Sequence, residues 1–177
     1  DLMGIALYTR PSDGAIFAIM GRKTGPTDGS YLWQYRLDGS DGVVKATLVR
    51  KFGKYSGKKE IEAIAVDDEL GFIYYADEGV GVRKYYADPE KGNEELAFFG
   101  TEGFAQDHEG ISIFDSGDGN GYILVSDQQA NAFHIFPREG SATDPHQHER
   151  LKIVYVSTSE SDGSEISNVN FNGTFSK

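Results

Sequence analysis

The chain of 177 residues is long enough for one domain with a buried core, and its formal net charge is −11. This acidity argues against nucleic acid as a partner, because phosphate backbones attract basic surfaces. No apolar run approaches the roughly 18 residues that indicate a membrane span, so we expect no membrane partner. The absence of cysteine excludes disulfides and thiolate metal sites.

Short strands recur along the chain in units of about 50 residues, the size of one blade of a β-propeller. Each unit has an opening apolar strand, a glycine-led strand and two further strands. The opening strands carry Ile5, Ile64 and Ile111. The glycine-led strands begin at Gly14, Gly71 and Gly121. A fourth opening strand is predicted near Val169, which gives about three and a half blades.

Closed propellers have roughly four to eight blades, more than this chain supplies. The chain also ends at Lys177, where the next glycine-led strand is expected. We therefore expect an all-β fold in which residues 1–177 form a single partial propeller domain with about three to four four-stranded blades. We expect the chain to be an internal fragment of a longer protein.

Carboxylates occupy matching places in the repeats. The stretch IEAIAVDDELGFIYYADE, residues 61–78, recurs as HEGISIFDSGDGNGYILVSDQ, residues 108–128. Glu62 and Glu109 open the first strand of each copy, and an aspartate ends the second strand. Because the innermost strand of each blade lines the central channel, acids at these places are expected to converge on one axis.

Converging carboxylates repel one another unless cations neutralise them, and Ca²⁺ accepts six to eight hard oxygen ligands in loose geometry. The pattern therefore predicts a calcium cluster in the channel. The alternative is an acidic surface of scattered, solvated carboxylates. The candidate acids are Glu62, Glu78, Asp107, Glu109 and Asp162.

Basic residues near the predicted channel are candidates for holding an anion. Arg22 and Lys23 follow the second strand of the first unit, and in an acidic chain they could bind an anionic substrate. A solvated loop is the alternative. Lys58 and Lys59 could line the channel rim, although an exposed basic pair is the simpler interpretation.

Taken together, the segments EAIAVDDELGFIYYADE, DHEGISI, GYILVSDQQAN and ESDGSE resemble the β-propeller phytases, calcium-dependent bacterial enzymes that release phosphate from inositol hexakisphosphate. The resemblance covers essentially all 177 residues and corresponds to the middle of a six-bladed propeller. It implies several Ca²⁺ ions held by Glu62, Glu78, Asp107, Glu109, Gln128 and Asp162.

The resemblance also assigns roles. It implies catalytic carboxylates at Glu78, Asp107, Glu109 and Asp162, and substrate phosphates held by Arg22 and Lys23. Two positions depart from the family pattern. Met3 stands where some members have a phosphate-contacting tyrosine, and Asn168 replaces a second aspartate after Asp162.

The implied activity is hydrolysis of phytate phosphomonoesters by a metal-activated water, of the 3-phytase type. The resemblance also implies a secreted or periplasmic bacterial protein, and we expect a monomer at full length. Two alternatives stay open. One is another calcium-dependent propeller hydrolase, such as a lactonase. The other is a non-catalytic propeller that calcium stabilises and that binds a partner.

Overall fold

The computed structural model of the chain describes residues 1–174, which contain three four-stranded antiparallel sheets. In every sheet the strands lie in chain order, each hydrogen-bonded to the next. This is the meander expected of a propeller blade, and it confirms the all-β prediction. We refer to the sheets as blades 1, 2 and 3.

The strands agree closely with the repeats in the sequence. Blade 1 comprises β1 (Leu2–Thr9), β2 (Ile16–Arg22), β3 (Leu32–Asp38) and β4 (Lys45–Phe52). Blade 2 comprises β5 (Ile64–Asp67), β6 (Phe72–Asp77), β7 (Gly81–Tyr86) and β8 (Ala97–Phe99). Blade 3 comprises β9 (His108–Gly117), β10 (Asn120–Asp127), β11 (Ala132–Pro137) and β12 (Lys152–Tyr155). A 3₁₀ turn, Pro89–Lys91, precedes β8.

The opening strands of the three blades lie side by side at one edge of the assembly, where β1 contacts β5 and β5 contacts β9. At Gly4 the approach is so close that a Cβ would lie 1.9 Å from the backbone oxygen of Glu62. A side chain there would push β1 away from blade 2. The geometry places the innermost strands around a common space, as the sequence predicts.

Blade 2 packs against blade 1 on one face and against blade 3 on the other, and its side chains reach both cores because they alternate between the two faces of a sheet. In β6, Ile73 and Tyr75 pack into the core shared with blade 1. Phe72 and Tyr74 pack into the core shared with blade 3. All six residues of β6 are buried, and each large side chain contributes about 1.5–3 kcal/mol of burial free energy.

The fourth opening segment lies earlier than the sequence predicts. Residues 156–174 contain no strand, so the described part of the chain holds three complete blades. The segment that runs beside β9 is Asp162–Ser164: a Cβ on Gly110 would lie 3.1 Å from Ser164 N, and Ser164 Oγ is 3.1 Å from Ser112 Oγ. The alignment on Val169 is therefore wrong. Lys177 lies outside the described residues.

Within residues 1–174, none of the helical structure has the length and apolar character needed to cross a bilayer.

Candidate functional site

A cavity of about 360 Å³ lies where the innermost strands meet. Four matching tripeptides line it: two lie in β1 and β9, one leads into β5, and one belongs to the segment after β12. They are Met3–Ile5, Glu62–Ile64, Glu109–Ile111 and Asp162–Ser164. Three of the four begin with a carboxylate, so the fold brings Glu62, Glu109 and Asp162 to one space although they are far apart in sequence.

The carboxylates are close enough to oppose one another's ionisation. Burial, followed by the negative charges of Asp107 and Glu62, raises the pKa of Glu78 to about 7. Burial, followed by the charges of Glu78 and Glu62, likewise raises the pKa of Glu109 to about 7. The pKa of Glu62 is raised by burial and then by Glu60. The predicted acids therefore form one electrostatic cluster.

The strand-ending aspartates of the repeat hold the loops that lead into this cluster. Asp77, at the end of β6, accepts hydrogen bonds from Ser56 N at 2.9 Å and Ser56 Oγ at 2.6 Å. Asp127, at the end of β10, accepts the backbone N–H of Ala105 at 3.0 and 3.1 Å. Both aspartates are buried, so they act as fixed anchors for the chain that carries the cluster acids.

The next residue after each anchor points to the cluster. Glu78 follows Asp77, and its backbone N–H donates to Glu60 O at 3.3 Å. Gln128 follows the second anchor, and its Nε2 donates to Asp162 Oδ1 at 2.6 Å. The predicted ligands Gln128 and Asp162 are thus in direct contact, although they come from blade 3 and from the segment beyond it.

Asp107 is paired on both carboxylate oxygens. Lys59 Nζ forms an ion pair with Oδ1, and Gln129 Nε2 donates to Oδ2 at 2.9 Å. Lys59 is exposed, as the sequence predicts, but its ammonium also reaches into the acidic cluster. The side chain of Asn168 is engaged outside this cluster, because its Nδ2 donates to the backbone oxygen of Asp115 at 3.0 Å.

The donor set suits a hard cation. Carboxylates and an amide oxygen are ligands that suit Ca²⁺. The pKa values of Glu78 and Glu109 are raised first by burial and then by neighbouring carboxylates, and a divalent cation would relieve that repulsion. Within residues 1–174, no three acidic or histidine side chains already surround a single point. Lys59 and the Gln128 amide hold Asp107 and Asp162 instead.

The two predicted phosphate-binding residues have different surroundings. Lys23 Nζ pairs with Glu60 at 3.0 Å, and the pKa of Lys23 is raised first by that contact, with smaller contributions from Glu62 and Glu78. Lys23 therefore borders the acidic cluster. The guanidinium of Arg22 lies 5.1 Å from the ring centroid of Trp33, and its buried Nε has no hydrogen-bond partner among the described residues.

Sequence reasoning missed Glu60 and Gln129. The repeat contains a signal for Glu60, since Glu60–Glu62 in blade 2 matches Asp107–Glu109 in blade 3. The structure confirms the match: Gln128 N donates to Asp107 O at 3.3 Å, as Glu78 N does to Glu60 O. No sequence signal marks Gln129, because its contacts depend on how the loop before β9 folds.

Comparison with known proteins gives one family. The family model for phytase matches residues 1–173. A 3-phytase of Bacillus subtilis (strain 168) is 30% identical over 143 residues, which cover 79% of this chain and 35% of that protein. The chain thus spans about a third of the length of this curated relative. Because the family model matches nearly all of the chain, the chain belongs to the phytase family.

Proposed function

We propose that the intact protein hydrolyses phosphomonoesters of phytate and releases inorganic phosphate in a calcium-dependent reaction, as a phosphatase of the 3-phytase type. Membership of the phytase family supports the reaction class. The observation that carries the proposal is the cavity lined by Glu62, Glu109 and Asp162, three carboxylates delivered by successive units of the repeat.

Calcium, when bound, would supply positive charge that offsets the substrate's phosphates and would lower the pKa of an associated water. The expected ligands are the predicted set, Glu62, Glu78, Asp107, Glu109, Gln128 and Asp162. Without such charge, a chain with net charge −11 would repel a dense polyanion. The acidic cluster therefore fits an anionic substrate only in its cation-loaded form.

The chain's own residues hold and orient the substrate in this proposal. The buried Nε of Arg22, which has no hydrogen-bond partner within residues 1–174, can donate to a phosphate oxygen, and the contact of the guanidinium with the Trp33 ring limits its motion. Lys23 is the second candidate cation, and it must leave Glu60 to contact substrate. Glu78, Asp107, Glu109 and Asp162 are proposed as the catalytic carboxylates.

Ionised carboxylates are needed to retain calcium, so acid should empty the site. Activity is therefore expected at neutral to mildly alkaline pH and is expected to fall in acid, because the pKa values of Glu78 and Glu109 are about 7 in the calcium-free site and protons compete with calcium below that pH. An acidic optimum that survives a chelator would contradict the mechanism.

The direct test is phosphate release from phytate by the intact protein, first with calcium, then with a chelator, then with calcium restored. We expect activity, its loss and its recovery. Opening of a lactone without phosphate release would favour a lactonase instead. A calcium-dependent rise in thermal stability with neither activity would favour a non-catalytic binding module.

We also propose that the intact protein is a monomer that works outside the bacterial cytoplasm. Extracellular calcium sites bind with dissociation constants of about 10⁻⁴–10⁻³ M, a range in which the ion would be present outside the cell but scarce in the cytosol. Size-exclusion chromatography of the intact protein and fractionation of expressing cells would test the two statements. A cytosolic location or a stable oligomer would contradict them.

A further inference from the structure

Gln129 lies in a chain of side-chain hydrogen bonds that links three of the expected calcium ligands. Its Oε1 accepts the backbone N–H of Asp107 at 2.9 Å, and its Nε2 donates to Asp107 Oδ2 at 2.9 Å. The same Nε2 donates to Gln128 Oε1 at 2.7 Å. Gln128 in turn donates to Asp162 Oδ1 at 2.6 Å. Gln129 is the one residue in this series of hydrogen bonds that is not an expected calcium ligand.

The chemistry of the partners fixes the orientation of both amides. A backbone N–H can only donate, so it requires the oxygen of Gln129, and a carboxylate can only accept, so it requires the nitrogen. The same argument directs the Nε2 of Gln128 to Asp162. The oxygen of Gln128 uses one lone pair for Gln129, and its second lone pair is left for a cation.

Gln129 acts from a fixed turn. The residue is half-buried between β10 and β11, the backbone of the turn is closed by Asn131 N donating to Gln128 O at 3.2 Å, and Asp127 anchors the loop before β9. The other partner of the Asp107 carboxylate, Lys59, is an exposed and longer side chain. Gln129 is therefore the more rigid of the two restraints on Asp107.

Blade 2 has no equivalent of the Gln129 side chain and its hydrogen bonds to Asp107. The turns after β6 and β10 begin alike, with Asp77, Glu78 and Gly79 in the places of Asp127, Gln128 and Gln129, although the first turn has three residues and the second has four. A glycine has no side chain with which to hold Glu60, the counterpart of Asp107. The contact thus belongs to one side of the cavity and does not arise from the repeat itself.

We propose that Gln129 is a positioning residue that preorganises Asp107 and Gln128 for calcium. The inference rests on the proposed function and deepens it, because it assigns to this residue part of the site's affinity for the ion. Groups that orient metal ligands through hydrogen bonds affect metal affinity by about 10–100-fold when they are removed.

The experiment uses the intact protein and compares Gln129→Met with Gln147→Met. Gln147 is a matched control, since its Nε2 also donates to a carboxylate, that of Glu149 at 2.9 Å, but on an exposed loop outside the cavity. Calcium binding is measured by calorimetry without substrate, and the calcium concentration for half-maximal phosphate release is measured separately. Thermal unfolding in chelator reports on the fold alone.

For Gln129→Met we expect calcium to bind at least about tenfold more weakly, with kcat recovered at saturating calcium and an unfolding temperature in chelator close to wild type. The control should match wild type throughout. If Gln129→Met does not fold, the same titration with Gln129→Asn, which keeps the amide on a shorter stem, should show weakened binding.

Unchanged calcium affinity in a folded Gln129 variant would overturn the inference while wild-type activity still supports the proposed function. A lower unfolding temperature in chelator with unchanged calcium affinity would make Gln129 a structural residue only, which also overturns it. A wild-type protein that binds no calcium would refute the proposed function and this inference with it.

Discussion

Glu109 lies beside other negative charges, so electrostatic repulsion in the calcium-free site destabilises the fold. Its pKa is raised by burial and by Glu78 and Glu62, which means that the charged form is disfavoured at neutral pH. A bound cation would convert the same proximity into binding energy. The contribution of Glu109 to stability should therefore change sign with calcium.

Glu109→Gln tests this change of sign. At pH 8 in chelator we expect the variant to be more stable than wild type by roughly 1 kcal/mol, because one repelling charge in a partly solvated site is removed. With calcium we expect the variant to lose most of the calcium-induced rise in unfolding temperature and to lose turnover. Differential scanning calorimetry under both conditions measures the effect.

The exposed Glu94 in the β7–β8 connection supplies the control, since Glu94→Gln should change neither value. If Glu109→Gln were destabilising in chelator, or if it kept the full stabilisation by calcium, Glu109 would not be a member of a repelling, cation-binding cluster.

At the scale of strands and sheets, arginine side chains link neighbouring blades. Arg138, which follows β11 in blade 3, binds both oxygens of Asp67 at the end of β5, at 2.6 and 2.7 Å, and also contacts Glu69. Arg50 at the end of blade 1 donates to the backbone oxygen of Tyr86 in blade 2 at 2.7 Å. These bonds hold blade 2 against blade 1 on one side and blade 3 on the other.

Arg138→Met is expected to lower the free energy of unfolding by about 3–5 kcal/mol, because Asp67 would be left as a buried charge without its partner. Lys45→Met removes an exposed ion pair with Asp41 and should cost less than about 1 kcal/mol. Urea unfolding of both variants makes the comparison. Equal, small losses would show that Arg138 does not hold the blades together.

The β11–β12 loop packs onto blade 2 through His148, whose Nε2 lies 3.1 Å from Lys84 Nζ and whose Nδ1 donates to Pro137 O at 2.8 Å. Burial, and then the positive charge of Lys84, lowers the pKa of His148 to about 4. The folded state therefore keeps this imidazole neutral at a pH where the unfolded chain would bind a proton.

The free energy of unfolding should consequently decrease as the pH is lowered from about 6.5, the pKa of His148 in the unfolded chain, to about 4, its pKa in the folded state. From pH 6.5 to pH 5 the contribution of His148 is about 1.5 kcal/mol. We expect His148→Gln, which cannot titrate, to lose that much less stability over this interval than wild type. Parallel pH profiles from chemical denaturation would contradict the assignment.

At the scale of the whole molecule, the cavity concentrates negative charge in a chain whose net charge is also negative. The second and third blades and the segment after β12 bring the carboxylates of Glu62, Glu109 and Asp162 to one cavity. With a net charge of −11, long-range electrostatics oppose the approach of any polyanion. Association with phytate should thus depend on cations, because the repulsion comes from the net charge of the whole chain and not from a single residue.

We expect calorimetric titration of the intact protein with phytate to show no measurable binding in chelator and clear binding once calcium is added. Turnover can be avoided by using the Glu78→Gln variant, provided it still retains calcium. Equally tight binding of phytate in chelator would mean that basic side chains such as Arg22 suffice, and that the charge argument is wrong.

The repeated sequence by itself determined the strand order, the number of complete blades and the matching positions of Glu62 and Glu109. Glycine-led strands and alternating side chains are local signals that survive without tertiary information. The register of the fourth segment could not be read in this way, because residues 156–174 form no strand. Only a short part of them, at Gly163 and Ser164, lies beside β9, through a close approach to Gly110 and a Ser112–Ser164 contact.

Only the tertiary structure decided which side chains hold the acids. Lys59, Glu60 and Gln129 reach the cluster because loops from blades 2 and 3 meet there, and hydrogen bonds between distant loops leave no period in the sequence. The burial that raises the pKa values of Glu78 and Glu109 arises from the same packing. Residue types predicted the chemistry of the cavity, whereas its pairing and protonation depend on distances that only the folded chain sets.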